Sequence, residues 1–272
     1  MPQKNYDNLF CPVCASQSYW SVLKANKETL GAFEIIKCGL CGLSRTFPIP
    51  NEKSPTDYEY YQNLYYQNSR KYFEYMREIL NIVQLYKTKG EVLDIGCGVG
   101  FLVELATKMG YNAQGIDPSM AARFAREERG LNIIQGNLFE AKFPDKRFDI
   151  IVMNHVLEHI SEPVPLLREV NRILKNDGIF ITCQPNIRSL MFFIQKANWY
   201  PLQPQEHLWQ FTPKSVALLL EKGNFTVVKS IITSVDHRPY IGLKGIIKKI
   251  ILGMAQAINL GDSCIIVARK VS

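Results

Sequence analysis

The ten residues from Glu91 to Gly100, EVLDIGCGVG, constrain the fold of this chain more than any other segment. A short apolar strand runs directly into a loop with three glycines, and the following FLVELATKMG has helical periodicity up to Gly110. A glycine backbone lets a ligand approach closely because no Cβ intervenes. A strand, a glycine loop and a helix in this order predict an α/β protein that holds a nucleoside cofactor at the carboxyl end of a strand.

The spacing of the glycines distinguishes between cofactors. They are Gly96, Gly98 and Gly100, and Phe101 stands where a dinucleotide fingerprint has its third glycine. With Asp94, the pattern D-x-G-x-G-x-G resembles motif I of the class I S-adenosylmethionine-dependent methyltransferases, and the resemblance covers roughly residues 91 to 272. It implies a doubly wound, seven-stranded Rossmann-like methyltransferase sheet with strand order 3-2-1-4-5-7-6, and S-adenosyl-L-methionine as the cofactor.

The resemblance also implies which residues hold the cofactor. Asp94 would attract the methionine ammonium, and Asp117, at the end of the second strand, would accept the ribose hydroxyl hydrogens. A helix N-cap role for Asp117 or Ser119 is the alternative. Asn137 stands where the family often has an acid that contacts the adenine amino group. The predicted cofactor-binding set is Asp94, Gly96, Cys97, Gly98, Gly100, Asp117, Asn137, Leu138 and Asn154.

The catalytic candidates are histidines and a carboxylate, because methyl transfer to an alcohol or an acidic carbon requires removal of a proton. His155 opens HVLEH after the fourth strand, where the chain resembles the LEH segment of small-molecule methyltransferases. The same H-x-x-E-H spelling matches an inverted zinc-protease motif, but no third ligand is evident. Glu206 and His207 resemble the E-H pair of the sugar C-methyltransferases, in which the histidine is a proposed base. The predicted catalytic residues are His207, Glu206 and His155; the alternative for His207 is simple packing beneath Trp209 and Phe211.

Four cysteines predict a small metal module before this core. Cys11 and Cys14 form one C-x-x-C pair and Cys38 and Cys41 form a second, with strand-like segments between them. This is typical of a zinc ribbon whose closed four-thiolate site holds structural zinc. We therefore predict a ribbon over residues 1–50, a linker and helical lid over 51–90, and the methyltransferase core over 91–272 with a helical insertion at about 241–258. The tyrosines predicted for the lid are Tyr60, Tyr61, Tyr65 and Tyr66.

Composition limits the partners without identifying one. The net charge is +7 and the pI is near 9, and the sequence suggests neither a signal peptide nor a membrane span, so a cytoplasmic location is expected. The predicted function is methyl transfer to a small molecule, for example a sugar nucleotide or a polysaccharide or lipid-linked intermediate. A ribosomal or transfer RNA methyltransferase that holds RNA through the ribbon is one alternative. A non-catalytic zinc-ribbon binding protein is another, and the 241–258 helix offers peripheral membrane contact.

Overall fold

The computed structural model describes residue 6 and residues 9–27, 31–49, 58–234 and 242–271. His237 therefore lies outside the described residues, as do the side chains of Tyr60 and Tyr61. The strands and helices are, in chain order, β1 (Tyr19–Lys27), β2 (Gly31–Cys38), β3 (Ser44–Phe47), α1 (Tyr58–Gln84), β4 (Glu91–Ile95), α2 (Phe101–Lys108), β5 (Asn112–Asp117), α3 (Met120–Glu127), β6 (Ile133–Gln135), β7 (Phe148–Asn154), α4 (Pro163–Ile173), β8 (Leu174–Pro185), α5 (Leu190–Gln195), β9 (Trp209–Gln210), α6 (Pro213–Lys222), β10 (Phe225–Thr233), α7 (Gly242–Ala257) and β11 (Ser263–Lys270).

Seven strands form the central sheet, in the order β6-β5-β4-β7-β8-β11-β10. Strands β4 to β8 pair in parallel, whereas β11 runs antiparallel to both β8 and β10. Numbered along the chain within this sheet, the strands have the order 3-2-1-4-5-7-6. The predicted α/β class and strand order are thus confirmed.

Helices cover both faces of this sheet. Helices α1, α2 and α3 bury one apolar cluster, which includes Ile79, Leu102 and Phe124. Helices α4 and α6 bury another on the opposite face, with Leu167 and Leu220. Buried strands with near-continuous apolar residues are what a parallel sheet covered on both sides requires.

The N-terminal part of α1 packs on the helices beside it. The ring of Tyr65 stacks on Phe101, with centroids 5.5 Å apart, and Tyr66 meets Phe124 edge-on. The Arg129 guanidinium lies 4.0 Å from the centroid of the Tyr65 ring. These two lid tyrosines therefore pack against residues of α2 and α3.

A second, smaller sheet belongs mainly to the N-terminal region. Strands β1, β2, β3 and β9 form it in that order, and all the pairings are antiparallel. Its edge strand β9 comes from the core, since Ser44 pairs with Gln210 and Arg45 with Trp209. The N-terminal region is consequently joined to the segment that follows Glu206 and His207.

Helix α7 lies between β10 and β11, where the sequence predicts a helical insertion. Its Leu252 is buried in a third apolar cluster with Met191 and Trp199. Ile246, Ile250 and Met254 of the same helix are exposed. Of the helices the structure describes, none combines the length and apolar character needed to cross a membrane.

Candidate active site

The glycine loop after β4 adopts backbone conformations that favour glycine. Gly96, Gly98 and Gly100 have φ angles of +72°, +51° and +80°. A Cβ atom on Gly96 would lie 2.3 Å from Val156 Cγ2, whereas a Cβ on Gly98 would have nothing within 4 Å. Gly96 is therefore required for packing, and Gly98 leaves open space beside the loop.

Asp117 connects this loop to the next helix. Its Oδ2 accepts a hydrogen bond of 2.9 Å from the Gly98 N–H, and its Oδ1 accepts one of 2.8 Å from the Ser119 N–H and another from the Ser119 hydroxyl. The N-cap of α3 is Ser119, whose side chain accepts from the Ala121 N–H. The Asp117 carboxylate, at the end of β5, thus holds the glycine loop close to the start of α3. Its Oδ2 keeps a lone pair that can accept a hydrogen bond from a ligand hydroxyl.

A cavity of about 590 Å³ opens beside this loop. Four residues of the predicted cofactor set line it: Gly96, Asp117, Asn137 and Leu138. Ile116, Phe139 and Leu166 supply apolar walls. The Asn137 Oδ1 accepts a hydrogen bond of 3.0 Å from the Glu140 N–H, which fixes the amide orientation. A polar end with one carboxylate and apolar walls suits a nucleoside.

The other predicted cofactor residues lie behind or beside this cavity. Asp94 is buried, and burial together with the nearby Asp117 raises its pKa well above the ordinary value. Cys97 is also buried, and burial raises the pKa of its thiol. Neither residue is among the described lining residues, nor are Gly98 and Gly100.

A second cavity, of about 460 Å³, contains the predicted catalytic residues. His155, Glu206 and His207 line it, together with Asn154. His155 and His159 border both cavities, so the two spaces adjoin at these imidazoles. Asn154, which the resemblance implies for the cofactor set, lines the second cavity.

His155 occupies a strained position at the carboxyl end of β7. Its φ is +55°, a conformation uncommon for a residue with a side chain, and its N–H donates to the Cys183 carbonyl at 2.8 Å. His155 Nδ1 lies 3.1 Å from Glu158 Oε1. Although burial raises the pKa of Glu158, the hydrogen bond from His155 and the neighbouring histidines bring it below its ordinary value. The geometry makes His155 Nδ1 the donor and leaves Nε2 as the basic nitrogen.

His207 is 4% exposed, and this burial lowers its pKa to about 4. Its ring meets that of His159 edge-on, with centroids 4.7 Å apart. Glu158, His159 and His207 each bring one possible ligand atom within 4.8 Å of the others. The structure therefore brings the two distant histidine segments together over one buried carboxylate.

Sequence reasoning missed several residues of this second cavity. Tyr75 of α1 lines it and donates a hydrogen bond of 2.8 Å to Asn154 Oδ1. Trp199 lines it and donates from Nε1 to Asp262 Oδ1 at 2.8 Å. The spacing of Tyr75 in α1 indicates only a core position. No local signal distinguishes these residues from packing aromatics.

The four paired cysteines converge in the N-terminal module. Their sulfur atoms lie within 4.8 Å of one another, with 3.4 Å between Cys11 and Cys41 and 3.5 Å between Cys14 and Cys38. No disulfide joins any of these four cysteines. Four sulfur atoms at these separations are compatible with a tetrahedral zinc ion.

Comparison with known proteins agrees with this fold. A family model described as "Methyltransferase domain" matches residues 66–230. The ubiquinone biosynthesis O-methyltransferase of Actinobacillus pleuropneumoniae serotype 7 is 33% identical over 122 residues, which are 40% of this chain and 52% of that protein. The enzyme of the same name from Rhodopseudomonas palustris is 31% identical over 151 residues, covering 51% of this chain and 59% of the relative. The chain thus spans about half the length of these curated relatives.

Solved structures share the architecture at low sequence identity. A SAM-dependent methyltransferase from Archaeoglobus fulgidus has a TM-score of 0.58 and 22% identity, covering 79% of this chain and 100% of that one. The 1,6-didemethyltoxoflavin-N1-methyltransferase of Burkholderia thailandensis, solved with bound S-adenosylhomocysteine, has a TM-score of 0.51 and 18% identity, covering 85% and 96%. The fold is that of the Rossmann-like methyltransferases. Because the family model matches more than half of its length, the chain belongs to the methyltransferase domain family.

Proposed function

We propose that this protein transfers the methyl group of S-adenosylmethionine to a small-molecule acceptor. The observation that carries the proposal is the adjoining of the two cavities at His155 and His159. One cavity has the residues expected for a nucleoside cofactor, and the other has polar and aromatic residues suited to an acceptor. Alignment of two reactants at a shared wall is the main requirement of an in-line transfer.

The residues of the first cavity fit the cofactor. Asp117 would receive the ribose hydroxyls at Oδ2, and Asn137 and Leu138 would flank the adenine. The open space at Gly98 would admit close approach of the methionine portion, and the buried Asp94, which precedes the loop, would attract its ammonium. The bound cofactor supplies an electrophilic methyl carbon on a sulfonium.

The protein's own residues would align the acceptor and accept its proton. We assign His155 Nε2 as the base, because Nδ1 is held by Glu158 and the ring borders both cavities. A bond forms between the acceptor atom and the methyl carbon while the carbon–sulfur bond breaks and its electron pair stays on sulfur. The acceptor proton passes to His155. Glu206 and His207, which line the same cavity, would also contact the acceptor.

The second cavity supports the proposed acceptor class. Its volume of about 460 Å³ matches a small ligand, and Tyr72, Trp199 and Tyr200 offer aromatic surfaces beside polar groups. These features favour a sugar nucleotide or a polysaccharide or lipid-linked intermediate. They are less suited to RNA, because an RNA-binding protein would be expected to present an exposed basic groove.

The four-cysteine cluster would bind one structural zinc ion. Its thiolates leave no open coordination position, so the ion would stabilise the module and take no part in methyl transfer. Because β3 pairs with β9, the metal would also stabilise the wall that carries His207.

The test is incorporation of labelled methyl groups from S-adenosylmethionine into a panel of nucleotide sugars and lipid-linked sugars. We expect product with at least one acceptor, and a loss of turnover of at least about 100-fold in His155→Gln, which removes the proposed base. Absence of product across the panel, with cofactor binding intact, contradicts the assigned acceptor class. Strong, salt-dependent binding of RNA would instead support the RNA methyltransferase.

A further inference from the structure

We infer that Glu158, His159 and His207 form a binding site for one divalent transition-metal ion beside the acceptor cavity. The three side chains come from two segments of the chain and place ligand-capable atoms within 4.8 Å of one another. Glu158 is fully buried and His207 is 4% exposed. The inference deepens the proposed function and relies on it only for the identity of the cavity as the acceptor site.

Two buried atoms of this cluster have no hydrogen-bond partner among the residues that the structure describes. They are Glu158 Oε2 and His207 Nδ1. A buried polar atom without a partner costs free energy comparable to its lost hydration, so such atoms in a folded protein call for an explanation. A bound cation between them would satisfy both, because a carboxylate oxygen and an imidazole nitrogen are each metal ligands.

The other polar atoms of Glu158 and His159 contact neighbouring groups that fix the orientation of the two side chains, as is usual for metal ligands. His159 Nδ1 lies 3.2 Å from the Glu206 carbonyl oxygen, which can only accept, so Nδ1 carries the hydrogen and Nε2 keeps its lone pair. Glu158 Oε1 is oriented by His155 Nδ1 at 3.1 Å. A ligating histidine characteristically donates its other N–H to a backbone carbonyl in this way, which fixes its tautomer and its ring orientation.

The ligand set indicates both the metal and its role. Two imidazoles and one carboxylate are typical of Zn²⁺ and Fe²⁺ sites that retain open coordination positions. His159 and His207 both line the acceptor cavity, so an open position would face the acceptor. The ion would bind an acceptor oxygen and stabilise its deprotonated form beside His155. The acceptor would therefore present a hydroxyl or enol oxygen.

The experiment uses Co²⁺ as the probe on the full chain purified with zinc in the cysteine cluster. Four thiolates retain zinc strongly, and Co²⁺ that did enter that cluster would show an intense sulfur-to-metal charge-transfer band. Co²⁺ at the nitrogen and oxygen ligands of the proposed site has weak visible bands and lacks the charge-transfer band. The titration is followed in the absence of cofactor and acceptor, so it reports metal binding alone.

We expect one equivalent of Co²⁺ per chain with the weak spectrum, and an affinity at least about 10-fold lower in Glu158→Gln and in His207→Ala. Because Glu158→Gln keeps the shape of the side chain, this variant still tests the site if His207→Ala fails to fold. The exposed carboxylate of Glu74 gives a matched control, and Glu74→Gln should bind Co²⁺ as the unaltered protein does.

Equal affinity in the unaltered protein and both folded cluster variants overturns the inference, as does Co²⁺ seen only with the thiolate band. Titration of the same sample with S-adenosylmethionine separates the two proposals. Cofactor binding without Co²⁺ binding refutes the metal site and leaves the transferase standing. Co²⁺ binding without cofactor binding supports the metal site and contradicts the proposed transferase.

Discussion

Thr46 Oγ1 donates a hydrogen bond of 2.7 Å to the carbonyl oxygen of His207. Nearby, the Thr46 N–H donates to the Leu208 carbonyl at 3.0 Å, and Gln210 Nε2 donates to the Leu202 carbonyl at 3.0 Å. The N-terminal module therefore holds the backbone of the segment that lines part of the second cavity. These contacts connect the region of the four-cysteine cluster to the proposed acceptor site.

Loss of the cysteine-bound metal should therefore loosen the acceptor wall. We expect Cys38→Ser to lose zinc and to increase hydrogen exchange of the 207–210 amides by at least about 10-fold, because β3 no longer holds β9. Affinity for S-adenosylmethionine should change by less than about 3-fold, since the glycine loop lies in the other sheet. Cys264→Ser replaces a buried thiol outside the module and should retain zinc. Unchanged exchange at 207–210 in zinc-free Cys38→Ser would refute the coupling.

The open space at Gly98 predicts a cofactor-specific effect of a single methyl group. Gly98→Ala should fold with a stability cost of about 1–2 kcal/mol, because its φ of +51° disfavours a side chain. We also expect it to weaken S-adenosylmethionine binding by at least about 10-fold in calorimetric titration, since the methyl enters the ligand's space. Gly110 has a φ of +88° and likewise nothing near its Cβ, so Gly110→Ala is the matched control. Equal cofactor affinity in the two variants would remove Gly98 from the site.

Asp94 should couple cofactor binding to pH. Burial and the nearby Asp117 raise the pKa of Asp94 in the folded, ligand-free protein. Protonated Asp94 therefore favours the folded state below the pKa that this residue has in the unfolded chain. That contribution to stability is lost as the pH rises through the pKa of the folded state. A bound ammonium favours the ionised carboxylate, so cofactor binding should release a proton and strengthen with rising pH. Titration over a pH series from about 5 to 7, where the cofactor's α-amino group stays protonated, in buffers of different ionisation enthalpy measures this release.

Asp94→Asn removes the ionisable group with little change in shape. We expect it to raise the Tm of the ligand-free protein by at least about 2 °C and to lower cofactor affinity by at least about 10-fold without proton release. Asp177→Asn, at an exposed carboxylate paired with Lys87, should leave both properties near those of the unaltered protein. The same binding heat in all buffers for the unaltered protein would show that Asp94 does not titrate on binding.

The central sheet could be predicted from sequence because its signals are local. The strand, glycine loop and helix from Glu91 to Lys108 are contiguous, and Asp117 ends the next strand at the same sheet edge. Parallel strands bring their carboxyl ends together, so the position of these residues follows from order along the chain.

The acceptor side could be predicted only in part because its contacts are non-local. The segments of His159 and His207 meet through Trp209, whose Nε1 donates to the Ile160 carbonyl at 2.7 Å, and two-residue β9 has no sequence pattern of its own. Tyr75 reaches Asn154 from a helix whose spacing indicates only core packing. The sequence alone therefore does not indicate that His207 lies beside Glu158 and His159, the other two residues of the proposed metal site.

The most direct test of the account is calorimetric titration with S-adenosylmethionine and S-adenosylhomocysteine of the unaltered protein and of Asp117→Ala. Asp117 braces the Gly98 amide and faces the cofactor cavity, so its loss should affect binding more than folding. We expect micromolar binding of both ligands by the unaltered protein and an affinity at least about 100-fold lower in the variant. Absence of binding to the folded, zinc-loaded protein, or equal binding by a folded Asp117→Ala, would contradict it.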